Sequence, residues 1–272
     1  MTPELFHRLK IACYILAVLF AHNVFSADLD KRVSYFNKQC EKAFEGEGGN
    51  NARPNRLILI DATDPLSEAQ KQFLRDNFIK NFTWQDEGEK VSIVLLNNTK
   101  INNLDVVTLC TPLPEDKITF TMATKKEKKK IHLFEKTFQE SFERLVSSSV
   151  KADQTLLIES LIELYRNKRY DFLDGNRKLI LASDLFQNSS WISFFNVCKN
   201  DSCPTYEKTL KDKNFSEFIN SEVKIKHLDQ DQVEIYHLKL NDKVVLSAKN
   251  WWKSFLESAG FNVKNLKVTT EL

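Results

Sequence analysis

Two uninterrupted aliphatic runs constrain this chain more than any other feature. They are Leu57-Ile58-Leu59-Ile60 and Leu179-Ile180-Leu181-Ala182, and each is followed at once by polar residues: Asp61 in the first case, Ser183-Asp184 in the second. A strand with one wet face alternates apolar and polar residues; a strand with no polar alternation is buried on both faces. Two such strands require a sheet with helices on either side. The remaining segments supply both. Val91–Leu96, Val106–Cys110, Val233–Leu238 and Val263–Thr269 read as further strands. Helical spacing appears in Leu29, Val33, Phe36, Cys40 and Phe44, in Phe73, Phe78 and Phe82, and in Phe134, Phe138, Phe142 and Leu145. It returns in Leu157, Leu161 and Leu164 and in a final helix over Trp251–Ala259 capped by Gly260. Strands alternating with helices define a three-layer α/β fold with a mostly parallel sheet. Asp64-Pro65 is expected to open the helix after the first strand, with Asp64 as N-cap; Ser67 and Gln70 offer a second capping signature.

Open parallel sheets bind ligands beyond the carboxyl ends of their strands, where the strand order reverses. Asp61 and Asp184 are the first acids at two such ends. The chain carries 39 Lys and Arg against 37 Asp and Glu, a net charge of +2, which gives no reason to expect nucleic acid as a partner. The run Lys125–Lys130 reads as the solvated start of a helix, and His132, His227 and His237 have no metal-ligand spacing. Trp191, Phe194 and Phe195 follow Asp184 in a loop, where packing is the default role. At least one of Trp251 and Trp252 is expected in the core.

The first 27 residues carry an address. His7, Arg8 and Lys10 precede an apolar stretch from Ile11 to Ala21, and Ser26 and Ala27 supply small residues. This pattern reads as a secretory signal peptide cleaved after Ser26. The rival is an uncleaved anchor from Ile11 to about Ala27, through which the chain would touch a membrane. Either way the body faces an oxidising compartment outside the cytoplasm. Residues 28–55 form a helix and a Gly/Asn/Pro-rich linker. Four cysteines remain in the exported part. Cys198 and Cys203 are the best local disulfide candidates, and Cys40 and Cys110 are the remaining pair; four unpaired thiols are the alternative.

Several short motifs together resemble the von Willebrand factor A-like fold, and within it a bacterial group of exported, mostly uncharacterised proteins. They are Asp61-Ala62-Thr63-Asp64-Pro65, Cys110-Thr111-Pro112, Thr155 to Glu159, Ser183-Asp184-Leu185, and Trp252, Phe255 and Gly260. The likeness covers about residues 56–268 and implies one domain over 56–272. It also implies a metal-ion-dependent adhesion site with Asp61 and Thr63 as the loop ligands, Thr155 as the distant hydroxyl and Asp184 as the second acid. Pro65 occupies the position of the last loop hydroxyl and supplies no ligand, so the site is degenerate; Asp64 adds an acid. Hard oxygen ligands suit Mg²⁺ first and Ca²⁺ or Mn²⁺ after it. The implied function is a non-enzymatic protein-binding module of the periplasm or inner membrane, with an envelope protein as partner. Two alternatives stand beside it: a metal-dependent, phosphatase-like hydrolase at the same pocket, and a metal-free, membrane-tethered scaffold. A haloacid-dehalogenase type of site is disfavoured because Thr63 stands where its second Asp is required.

Overall fold

The computed structural model describes residues 27–40, 54–84, 87–96, 105–118, 124–148, 151–166, 177–199, 202–222, 232–238 and 243–270. The stretch read as a signal peptide or anchor, up to residue 26, and most of the linker lie outside them. Among the described residues no helix is long and apolar enough to cross a membrane.

Among the described residues six strands form one sheet: β1 (Asn55–Asp61), β2 (Lys90–Leu96), β3 (Asp105–Cys110), β4 (Arg177–Ser183), β5 (Gln232–His237) and β6 (Asn262–Thr270). Their order is β3-β2-β1-β4-β5-β6. All neighbours are parallel except β3, which runs antiparallel to β2 at one edge. The architecture is therefore mixed α/β with a mostly parallel sheet. The apolar runs work as their pattern requires. Leu57, Leu59, Leu179 and Leu181 point into one core, while Ile58, Ile60, Ile180 and Ala182 point into the other.

The first core is closed by α4 (Leu157–Arg166), α5 (Phe194–Val197), α6 (Tyr206–Thr209), α7 (Lys213–Glu222) and α8 (Lys243–Ser258). Trp251 and Trp252 are both fully buried there. The second core is closed by α1 (27–40), α2 (Glu68–Arg75) and α3 (Thr124–Ser147). Helix α1 lies on α3: Phe36 packs edge-on against Phe134 at 5.4 Å, Arg32 pairs with Glu140, and Arg144 pairs with Asp30 at 2.6 Å. Cys40 is disulfide-bonded to Cys110, tying the end of α1 to the end of β3, and Cys198 is bonded to Cys203. The lysine-rich start of α3 is solvated, with Lys130 reaching Glu87 at 3.3 Å.

Local expectations needed correction at three places. Asp64 does not cap the helix after β1; it is exposed, and α2 begins three residues later than Pro65. Ser67 is the N-cap, in a full capping box with Gln70. Ser67 wins because Gln70 also donates through Nε2 to the Leu238 carbonyl at 2.6 Å, a bond that anchors the helix start to the end of β5. The helix expected through Phe73, Phe78 and Phe82 ends earlier: α2 gives way to a π turn over Asp76–Lys80, and Phe82 lies beyond it. An α-helix would turn residues five apart well away from each other. The wider π turn brings Phe73 and Phe78 to the same ring, Tyr236, at 6.3 and 4.7 Å. Helix α8 also starts well before Trp251.

Candidate functional site

Strand order determines where the two acids meet. From β1 the chain runs outward through β2 to β3, then returns to lay β4 on the other side of β1. The reversal lies between β1 and β4, the place where a crevice forms in a sheet of this kind. Register brings Ile60 opposite Ala182, so Asp61 and Ser183 leave the sheet side by side.

Asp61 is buried and fully engaged. Its Oδ1 accepts from the Thr63 amide at 3.2 Å and the Thr63 hydroxyl at 2.8 Å; its Oδ2 accepts from the Ser183 hydroxyl at 2.7 Å. Thr63 Oγ1 lies 2.9 Å from Thr155 Oγ1. The single proton of Thr63 is committed to Asp61, so Thr155 donates to Thr63. The segment before α4 is held in place by two further ties: Ala152 N–H donates to the Thr63 carbonyl at 2.7 Å, and Thr155 exchanges backbone bonds with Asn188.

Asp184 is half-buried, and its Oδ1 accepts from the Phe186 amide at 2.9 Å, a tight local turn. Its charge reaches Asp61. Burial first, and then the Asp184 carboxylate, push the Asp61 carboxyl up to about 6, against the opposing hydrogen bonds from Ser183 and Thr63. Like charges placed within electrostatic reach favour the protonated form of the buried one.

Leu185 gives the turn its shape. It has φ of 65°, the one positive φ outside glycine among the described residues. A leucine in this region costs roughly 1–2 kcal/mol. Two bonds hold it there: its N–H donates to Ser183 Oγ at 2.8 Å, and its carbonyl accepts from Trp252 Nε1 at 2.8 Å. Ser183 thus serves both Asp61 and Leu185. Trp252→Phe keeps the ring in the core and removes this donor. It should cost about 1–2 kcal/mol in denaturant unfolding and broaden the NMR amide signals of Asp184 to Gln187; an unchanged backbone there would show that the indole bond does not fix the turn.

Asp61, Thr63 and Thr155 therefore meet at the carboxyl ends of β1 and β4 with Asp184 in electrostatic reach, while Asp64 stays exposed in the loop. Among the described residues there is no cluster of three or more His, Cys, Asp or Glu side chains placed to hold a metal ion. The donor set is two carboxylates and two threonine hydroxyls, oxygen throughout. Oxygen donors are the type hard cations take, but both oxygens of Asp61 are already occupied by hydrogen bonds. Sequence reasoning assigned no role to Ser183 or to the pair Glu159 and Gln187. Gln187 donates to Glu159 Oε2 at 2.8 Å and accepts from the Ile158 amide at 3.1 Å, closing the start of α4. Burial raises the Glu159 carboxyl above its ordinary range. The hydroxyl just before Asp184 was the available signal for Ser183, and the motif from Thr155 to Glu159 was the signal for Glu159. Phe194 is buried, whereas Trp191 and Phe195 are exposed, Trp191 stacking on Phe218 at 4.7 Å.

A mixed α/β sheet with an acid and hydroxyl cluster at its point of reversal is the class that fold and site define. No protein-family profile matches the chain, and no curated protein matches it. Among solved structures it is similar to the human COPII-coat protein Sec24c, at 12% identity and a TM-score of 0.39, over 83% of this chain and 30% of that one. The chain thus spans under a third of that protein's length.

Proposed function

We propose that this protein is an exported, non-enzymatic protein-binding module with a von Willebrand factor A-like fold, working through a degenerate divalent-cation site. The observation that carries the reading is the hydroxyl-linked cluster of Asp61, Thr63 and Thr155 within electrostatic reach of Asp184. Asp61 and Asp184 would supply the charge, Thr63 and Thr155 the neutral oxygens, and Mg²⁺ is the ion that needs fewest protein ligands. The cation would relieve the repulsion between the acids and leave open positions for an oxygen of a partner. The exposed rings of Trp191, on the loop that follows Asp184, and Phe195, on α5, would be the apolar part of the contact. The partner is a protein of the cell envelope, met in the periplasm or at the outer face of the inner membrane. The two disulfides suit that compartment.

Calorimetry with Mg²⁺, Ca²⁺ and Mn²⁺ on the full chain and on Asp61→Ala tests the reading. One-to-one binding, strongest for Mg²⁺ and lost in the variant, is expected. Absence of heat with all three ions removes the cation and leaves a metal-free scaffold. Turnover of a generic phosphate ester that disappears in Asp61→Ala would make the protein a hydrolase instead.

A further inference from the structure

A cavity of about 610 Å³ opens at the other end of the sheet, against the amino halves of β1, β4 and β5. Asn55 on its lining and Asp61 stand at opposite ends of β1, about 20 Å apart along the strand. The cavity is therefore independent of the site above. The apolar residues behind it, Ile58, Phe78, Ile180 and Tyr236, are buried and offer a ligand almost no surface. The surface a ligand meets is polar. Asn81 and Thr83, just beyond the π turn, and Gln232, at the start of β5, are exposed; Asn77, on the turn, is half-buried. The volume is in the range of sites for small molecules.

The charges on the lining are already matched. Arg56 places Nη2 on Glu89 at 2.8 Å and Nη1 on the Thr83 carbonyl at 3.1 Å, and Lys178 holds Glu234 at 3.0 Å. Arg177 is buried, its guanidinium 5.9 Å from the centre of the Tyr165 ring. An anion could bind only by drawing a cation away from its acid, and a cation only by the reverse; either leaves a charge uncompensated. An uncharged ligand disturbs neither pair. Flat apolar ligands find no platform, because Phe82 has Arg56 over it at 4.9 Å and Phe138 against it at 4.4 Å. What the lining does offer is neutral hydrogen bonding. Each side-chain amide carries both donors and an acceptor, as does each hydroxyl of a polyol. Asn77 spends Nδ2 on the Phe73 carbonyl at 2.8 Å and keeps its own carbonyl oxygen as an acceptor. Carboxylates in ion pairs also retain lone pairs for further donors.

We propose that this cavity binds an uncharged, polyhydroxylated molecule, a sugar, held by hydrogen bonds to Asn77, Asn81, Thr83 and Gln232. The matched pairs Arg56–Glu89 and Lys178–Glu234 stay closed and exclude charged ligands of the same shape.

The test follows the side-chain amide signals of the ¹⁵N-labelled full-length protein by NMR. The probes are the methyl glycosides of glucose, galactose and N-acetylglucosamine, with glucuronate and glucosamine as the charged counterparts of the glucose ring. Saturable shifts of Asn77, Asn81 and Gln232 are expected with at least one neutral glycoside. Both charged sugars should bind about fivefold more weakly, the cost of opening a partly exposed ion pair. Replacing Asn81 and Gln232 together by alanine should weaken the neutral sugar by about tenfold, the value of one to two neutral hydrogen bonds. Both positions are exposed, so thermal melting should stay unchanged. No saturable shift with any of the three glycosides, a charged sugar binding as tightly as the neutral one, or an affinity unchanged in the double variant would overturn the proposal.

Discussion

Replacing Cys40 and Cys110 together by serine should lower the stability of the oxidised protein by about 4 kcal/mol, the chain-entropy value for a loop of this length. The bridge closes 70 residues and joins α1 to the end of β3. Its loss frees the denatured chain more than the native one. Breaking Cys198–Cys203, which spans only 5 residues, should cost roughly half as much. Denaturant unfolding of both double variants, with and without reductant, gives the comparison. The Cys40–Cys110 variant should also show faster amide exchange toward the end of α1, because the bridge is its covalent tie to β3 and the buried Leu29 and Phe36 and the pairs to α3 lie earlier in the helix. Equal losses from the two bridges would mean that loop length does not govern them.

The metal-free protein should lose stability as pH rises from about 4 through about 6. Asp61 has an ordinary carboxyl value of 3.8 and a folded value of about 6, raised by burial and by Asp184. A raised carboxyl binds its proton more tightly in the folded state. Its stabilisation is complete below the unfolded value and is lost as pH climbs through the folded one. The difference is on the order of 3 kcal/mol. Asp61→Asn removes the titration, so the gap between wild type and variant should change between pH 4.5 and pH 7 in chelator. A gap that is constant with pH would show that Asp61 ionises normally. Added Mg²⁺ should restore the wild type at pH 7 and leave Asp61→Asn unmoved.

Much of this fold is legible in the sequence because its rules are local. Four aliphatic residues without a polar break and closed at once by polar ones, as at Leu57 and Leu179, are the pattern of a strand covered on both sides. The acid after each run marks a strand end. The phenylalanines at 134, 138 and 142 fix the buried stripe of α3. Less legible were the features decided by competition between local signals. Asp64-Pro65 and Ser67–Gln70 are both good helix starts, and the contest was settled by Gln70 reaching Leu238, 168 residues away. The π turn after α2 has no sequence signal of its own; it exists because Phe73 and Phe78 share Tyr236 on β5.

The sequence by itself determined the layers, the strand ends and the chemical types at the site, since hydrophobic period and side-chain chemistry are properties of neighbouring residues. Only the tertiary structure decided that β4 lies against β1, that Ser183 holds Asp61, that Thr155 joins Thr63, and that the amino halves of β1, β4 and β5 border a cavity. Strand pairing joins segments more than a hundred residues apart, and its energy comes from burying whole faces against each other. No short stretch of chain contains that information.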